Sequence, residues 1–285
     1  MSRIHDLLNR AEQEKELLRV VDLERESVAL PVAVGGSAKS RASHEIGSST
    51  ALTFDDLLTF CPRGAWMLDP ASNVFSGTKH EPAAAEEFRG IRSRLYRLRE
   101  SRQLKTILVT SPIPKEGKSF VACNLAHALA IQPDCRVLLI DANLRNPALH
   151  RFFSTLLTPG LSDYLLKPGD PISIVQRGEN DNLILIAAGS AVAGPAELLS
   201  NGQLASLIKL VAPAFDWILI DSPPAIPFTD AALLANQCEG VLMVVRSNST
   251  PLEVARQARR KFREGHIAGV VLNGAAAPQN YAEIH

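Results

Sequence analysis

The sequence has no charge imbalance: Lys+Arg and Asp+Glu stand at 30 each over 285 residues. No net charge therefore draws the chain to nucleic acid or acidic lipid, and only a local patch would do so. It also has no run of about 18 apolar residues, and its N-terminus has no signal-peptide apolar region. Neither a membrane span nor a secretory leader is expected, so the protein reads as cytoplasmic. The four cysteines, Cys61, Cys123, Cys135 and Cys238, share no C-x-x-C spacing. That argues against zinc and iron–sulfur sites and for small buried apolar residues in a reducing compartment.

What is present divides near residue 80. Residues 1–80 read as an N-terminal amphipathic helix and a largely flexible linker. Ile4, Leu7, Leu8 and Ala11 fall on one helical face, and "AVGGSAKSRASHEIGSS" from Ala33 to Ser49 is small, polar and rich in Gly and Ser. That helix fits a partner, a membrane surface, its own domain or a coiled coil. Residues 81–285 read as one domain, and no internal repeat is present.

From residue 104 short β-branched runs alternate with amphipathic stretches. Strands are expected at 105–111, 136–141, 182–189, 217–221, 240–246 and 268–274, and helices around 118–131, 196–210, 229–237 and 251–264. Continuous apolar strands are those covered on both faces, so this is an α/β fold with a parallel sheet sandwiched between helices. Such folds bind ligands beyond the C-terminal strand ends.

The first strand end runs into "VTSPIPKEGKSFVACNLAHALA", Val109 to Ala130. A phosphate cradle needs inward-facing N–H groups, a helix start, a cation and a hydroxyl. Gly117 lets backbone approach closely, Lys118 is the cation and Ser119 the hydroxyl. Yet Pro112 stands where the common G-x-x-x-x-G-K-[ST] pattern has its first glycine. "VLLIDANLR" ends a second strand in Asp141, and "WILIDSPP" ends another in Asp221. A carboxylate there suits a Mg²⁺ shell or the polarisation of a nucleophile. Either one alone also suits a helix cap or turn.

Together "SPIPKEGKS", "LLIDANLR", "WILIDSPP" and "GVVLNG" resemble the Walker A, A′ and B elements of the bacterial tyrosine kinases (BY-kinases). That family's own loop has the S-x-x-P-G-E-G-K-S form, which accounts for Pro112. The resemblance covers residues 86–274 and implies a P-loop NTPase-like fold, ATP and Mg²⁺ as cofactors, and tyrosine autophosphorylation in exopolysaccharide or capsule assembly. It implies that Lys118 meets the β- and γ-phosphates, that Ser119, Asp141 and Asp221 serve the metal, and that Lys118, Asp141 and Asp221 are catalytic. Lys115, Glu116, Gly117, Lys118, Ser119 and Phe120 become nucleotide contacts, with Asn273 at adenine; Asn273 also fits a simple turn beside Gly274. "EEFRGIR" matches the family's E-x-x-R-x-x-R helix, so Glu86, Arg89 and Arg92 are expected to join subunits of a homo-oligomer. Taken alone, they equally fit ion pairs on a solvated face. The implied partner is a membrane polysaccharide co-polymerase, which would recruit the protein to the inner face of the cell membrane. No nucleic-acid partner is expected.

Three positions depart from the family pattern. Lys115 replaces the loop glycine. Asn143 replaces the second aspartate of D-x-D-x-R, which removes a charge near Mg²⁺. The tyrosine-rich tail is reduced to Tyr281 as acceptor, the other tyrosines being Tyr96 and Tyr164. Two further readings therefore stand beside an active kinase. One is a nucleotide-gated adaptor with little or no catalysis. The other is a partition-type ATPase, weakened because Ile113 occupies that group's signature-lysine position.

Overall fold

The structure, a computed structural model, describes residues 52–68, 72–75 and 82–275. The expected helix around Ile4–Ala11, the linker at 33–49 and Tyr281 lie outside the described residues. The compact unit begins at Leu52, so residues 52–68, assigned from sequence to the part before residue 80, belong to the folded body. Helix α1 (Phe54–Phe60) starts on a capping box: Thr53 Oγ1 accepts from Asp56 N at 3.2 Å, and Asp56 returns a carboxylate oxygen to Thr53 N at 3.0 Å. Phe54 and Leu57 are buried in the main core.

Seven strands form one sheet: β1 (Thr106–Thr110), β2 (Val137–Asp141), β3 (Val175–Arg177), β4 (Leu183–Ile186), β5 (Trp217–Asp221), β6 (Gly240–Arg246) and β7 (Ile267–Asn273). Their order is β3-β4-β2-β5-β1-β6-β7. All neighbours pair in parallel except β3, which runs antiparallel to β4. The edge strand β3 was not expected, because three residues carry too little pattern to be seen. The central strands alternate between two cores: Leu108, Ile140 and Ile220 face one side, and Val109, Leu139 and Leu219 the other. Burial on both faces is what made these runs continuously apolar.

The second core holds α2 (Pro82–Ser101) and α3 (Lys118–Ala130). Helix α3 is buried nearly all round, as its apolar circumference requires. Short helices α4 (Leu149–Phe152) and α5 (Leu161–Leu166) follow β2. The helix expected at 196–210 is in fact two, α6 (Pro195–Ser200) and α7 (Gln203–Val211). Gly202, at φ +85°, breaks it with a left-handed backbone that glycine adopts without strain. Helices α8 (Asp230–Ala235) and α9 (Leu252–Arg259) complete the described set.

The functional consequence is a row of strand ends. β2 and β5 pair in register at Asp141↔Asp221, and β1, beside β5, pairs Val109 with Asp221. The phosphate-loop candidate and both aspartates therefore meet at one edge.

Candidate active site

The loop from Ser111 to Gly117 leaves β1 and enters α3. Its exit is set by Gly117, at φ +88°; a Cβ there would lie 2.0 Å from Asn273 Nδ2. Only glycine fits both the backbone and that neighbour. The loop is braced from behind. Buried Glu116 accepts from Ile113 N at 3.1 Å and from the hydroxyl of Thr250, while Asn273 Nδ2 donates to Glu116 O at 2.9 Å. Ala225 N and Ile226 N donate to the carbonyls of Ser111 and Pro112 at 2.7 and 3.1 Å, which ties the loop to the turn after β5. Of the expected nucleotide contacts, Glu116 and Asn273 thus hold the loop's shape. Lys115, Gly117, Lys118, Ser119 and Phe120 line a cavity of about 430 Å³, together with Ser72, Asn146, Ala148, Arg151 and Phe152.

At the start of α3 three side chains converge. Lys118 Nζ donates to Ser119 Oγ at 2.9 Å, and Ser119 Oγ donates to Asp221 Oδ2 at 2.5 Å. Lys118 Nζ lies 3.6 Å from the other oxygen of Asp221. Asp221 is fully buried, and its Oδ1 accepts no hydrogen bond. Burial raises its pKa, opposed by the Lys118 charge and the Ser119 hydroxyl. That oxygen is met by the Lys118 ammonium at ion-pair distance and keeps lone-pair capacity for a further positive group.

Asp141 is equally buried but differently engaged. Its Oδ2 accepts from Ala148 N and Leu149 N, both at 3.0 Å, and its Oδ1 from Asn143 N at 3.1 Å. Burial and the neighbouring Asp221 charge push its pKa up to about 7, against those amides and Lys118. Asn143 is also committed: its Nδ2 donates to Asn146 O at 2.8 Å, and its Oδ1 accepts from Asn146 N at 3.3 Å. That reciprocal clasp needs an amide, because a carboxylate has no donor. Arg145 turns away from the cavity and grips buried Asp230 through two hydrogen bonds of 2.8 and 2.9 Å.

The expected subunit-joining residues lie elsewhere. Glu86 and Arg89 pair with each other at 2.9 Å on an exposed face of α2, the bland alternative read from their spacing. Arg92 Nη1 donates to Ala128 O at 2.6 Å and so caps the C-terminal end of α3 within the same chain. Sequence reasoning missed Ser72, Asn146, Arg151 and Phe152. Ser72 reaches the cavity because Asn124, buried on α3, clasps its segment, accepting from Val74 N and donating to Ser72 O. Arg151 sits on a helix of four residues, too short to show a period.

The chain matches no family model. It is 34% identical over 204 residues to the tyrosine-protein kinase YwqD of Bacillus subtilis strain 168, which covers 71% of this chain and 86% of that protein. The chain belongs to the bacterial tyrosine kinase family. Among solved structures, the chimerical protein CapA2B2 superposes with a TM-score of 0.67 at 28% identity, covering 79% of this chain and all of that one. The kinase domain of Escherichia coli tyrosine kinase ETK gives 0.63 at 28%, covering 72% and 84%. The chain spans about a quarter of the length of the longer tyrosine kinases it matches. This family has the mostly parallel, helix-flanked sheet described above, as the resemblance implied.

Proposed function

We propose that this protein binds Mg·ATP at the cavity beside Lys118 and transfers the terminal phosphate to a tyrosine, as an element of exopolysaccharide or capsule assembly. The observation that carries this reading is the Lys118–Ser119–Asp221 constellation at the loop-to-helix junction. Lys118 there is placed to neutralise β- and γ-phosphate oxygens, while the N–H groups of the loop and of the first turn of α3 meet the rest.

The donor set suits Mg²⁺. Ser119 Oγ and the unsatisfied Asp221 Oδ1 are hard oxygens, and Mg²⁺ takes one or two carboxylates alongside substrate phosphates. Ser119 and Asp221 would hold it. When bound, the ion would offset phosphate charge as it develops. In the transfer, the acceptor hydroxyl gives up its proton and bonds to the γ-phosphorus, the bond to the β-bridging oxygen breaks, and ADP leaves. Asp141 is the strand-end carboxylate nearest the role of proton acceptor, yet its amide contacts must loosen first.

Tyr281 is the proposed acceptor on the chain itself. Glu86, Arg89 and Arg92 are the proposed contacts of a homo-oligomer, and a membrane co-polymerase is the proposed partner, met at the cytoplasmic face. No helix among the described residues is long and apolar enough to cross a membrane. A second reading, a nucleotide-gated adaptor, is favoured by the Asn143 clasp, which puts an amide in place of a carboxylate. The partition-type ATPase reading has no comparable support, since Ile113 serves the loop through its backbone, its N–H donating to Glu116 and its carbonyl accepting from Ser111 Oγ.

Incubation with γ-labelled ATP and Mg²⁺ separates these. Phosphotyrosine that is lost in Lys118→Met is the expected result. Free phosphate alone, or no transfer despite binding, would replace the kinase with the ATPase or the adaptor.

A further inference from the structure

The cavity beside the phosphate loop carries more positive charge than Lys118 provides. Lys115, Lys118 and Arg151 line it, and among the described residues no carboxylate does. Lys118 is already compensated, lying 3.6 Å from buried Asp221. Lys115 and Arg151 are not: among the described residues, neither has a carboxylate within ion-pair distance. Arg151 spends one donor on Pro147 O at 2.8 Å and keeps the rest of its guanidinium fork.

Lys115 adds a second, independent observation. Its backbone sits at φ 68°, the left-handed region that glycine occupies freely and that strains a long side chain. The loop holds it there: Arg246 Nη1 donates to Lys115 O at 3.3 Å, and the next residue is the buried brace Glu116. The chain thus keeps a cation where glycine would be relaxed, on the lining of the cavity beside Lys118. Strain retained in this way is expected where the side chain does something the site needs.

We propose that Lys115 and Arg151 form a second cation pair that reads the terminal phosphate, so that the protein prefers a nucleoside triphosphate over a diphosphate beyond what Lys118 and Ser119 supply. This rests on the nucleotide reading above. The two cations reach the same cavity from different elements, the loop after β1 and helix α4, and would meet the phosphate chain from both. A diphosphate lacks the group they meet. An acidic peptide as their ligand is the rival occupant.

The test is an equilibrium titration of the full chain with Mg²⁺, using ADP and a non-hydrolysable ATP analogue. The variants are Lys115→Gln, Lys115→Gly, Arg151→Gln and Lys118→Met. The wild type should prefer the triphosphate. Each Gln variant should cut the triphosphate-to-diphosphate affinity ratio by about fivefold to tenfold, on the scale of one lost charge-assisted contact. Lys115→Gly should match Lys115→Gln, although it relieves the backbone. An unchanged ratio in the Gln variants, an equal loss for both nucleotides, or a shift in Lys115→Gly alone overturns the pair. So does a Gln variant that alters only the affinity for an acidic tyrosine peptide. Lys118→Met should weaken both nucleotides. If the wild type binds neither, the nucleotide reading fails and this inference falls with it.

Discussion

Asp141 and Asp221 end neighbouring strands at the same register, and both are fully buried. Their surroundings nevertheless divide their work. Asp221 faces side chains: a serine hydroxyl, a lysine ammonium, and one oxygen left without a donor. Asp141 faces backbone: three N–H groups from the turn that runs to α4 satisfy both its oxygens. The first arrangement is open to a ligand, and the second is a structural closure. Two residues that look alike at strand ends thus differ by what the following loop returns to them.

That comparison can be broken most strongly at Asp141. Asp141→Asn presents an NH₂ or a weaker acceptor to those amides, so stability should fall by about 1–3 kcal/mol, read by denaturant unfolding. The pH dependence should change as well. Burial and the Asp221 charge push the folded pKa of Asp141 up to about 7, well above the ordinary carboxylate range. The folded state therefore holds this proton where the unfolded state has lost it. The stability it contributes is fully present below about pH 4 and is lost as pH rises through about 7. The nucleotide-free protein should lose stability between about pH 4 and 7, by at most about 1.4 kcal/mol per pH unit from this group. Asp141→Asn should flatten that slope. An unchanged slope would place the titration elsewhere.

A smaller effect is expected next door at Asn143. The charge missing at Asn143 means that, if the lost carboxylate limits the reaction, Asn143→Asp should raise activity. The Asn143 contacts favour the opposite outcome, because the aspartate loses the donor to Asn146 O and adds charge beside Asp141. The variant should lose about 1–2 kcal/mol, or roughly 2–6 °C in melting temperature, with no gain in phosphotyrosine. A gain in both would mean that the loop rearranges to use the carboxylate.

The smallest effects belong to α2, a region read from a motif alone. Arg92→Ala removes the donor to Ala128 O and should cost about 0.5–1.5 kcal/mol. Arg89→Ala breaks only an exposed pair and should cost less than about 0.5 kcal/mol. Sedimentation of both variants with Mg·ATP tests the subunit role separately. A mass distribution equal to wild type in both would leave Arg92 as a cap and Arg89 as a surface charge.

Much of this was legible because it rests on local pattern. The six continuous apolar strands announced a two-sided sheet, and glycine, lysine and serine at a strand-to-helix junction announced the loop. Other features depend on distant partners. That Glu116 braces the loop is decided by Thr250 and Ile113. That Arg145 leaves the site is decided by Asp230. Helix α1 was passed over because seven residues before a Gly- and Pro-marked stretch carry little weight, although Thr53 and Asp56 spelled its cap. Arg151 was invisible for want of a helical period.

The most direct measurement is the Mg²⁺ dependence of ATP-analogue binding in Asp221→Asn and Asp141→Asn, at a temperature where both remain folded. The account predicts that Asp221→Asn loses the Mg²⁺ enhancement, by about tenfold or more in affinity, while Asp141→Asn keeps it and is merely less stable. Loss of the Mg²⁺ enhancement in Asp141→Asn, with Asp221→Asn unaffected, would contradict the division of labour between the two carboxylates.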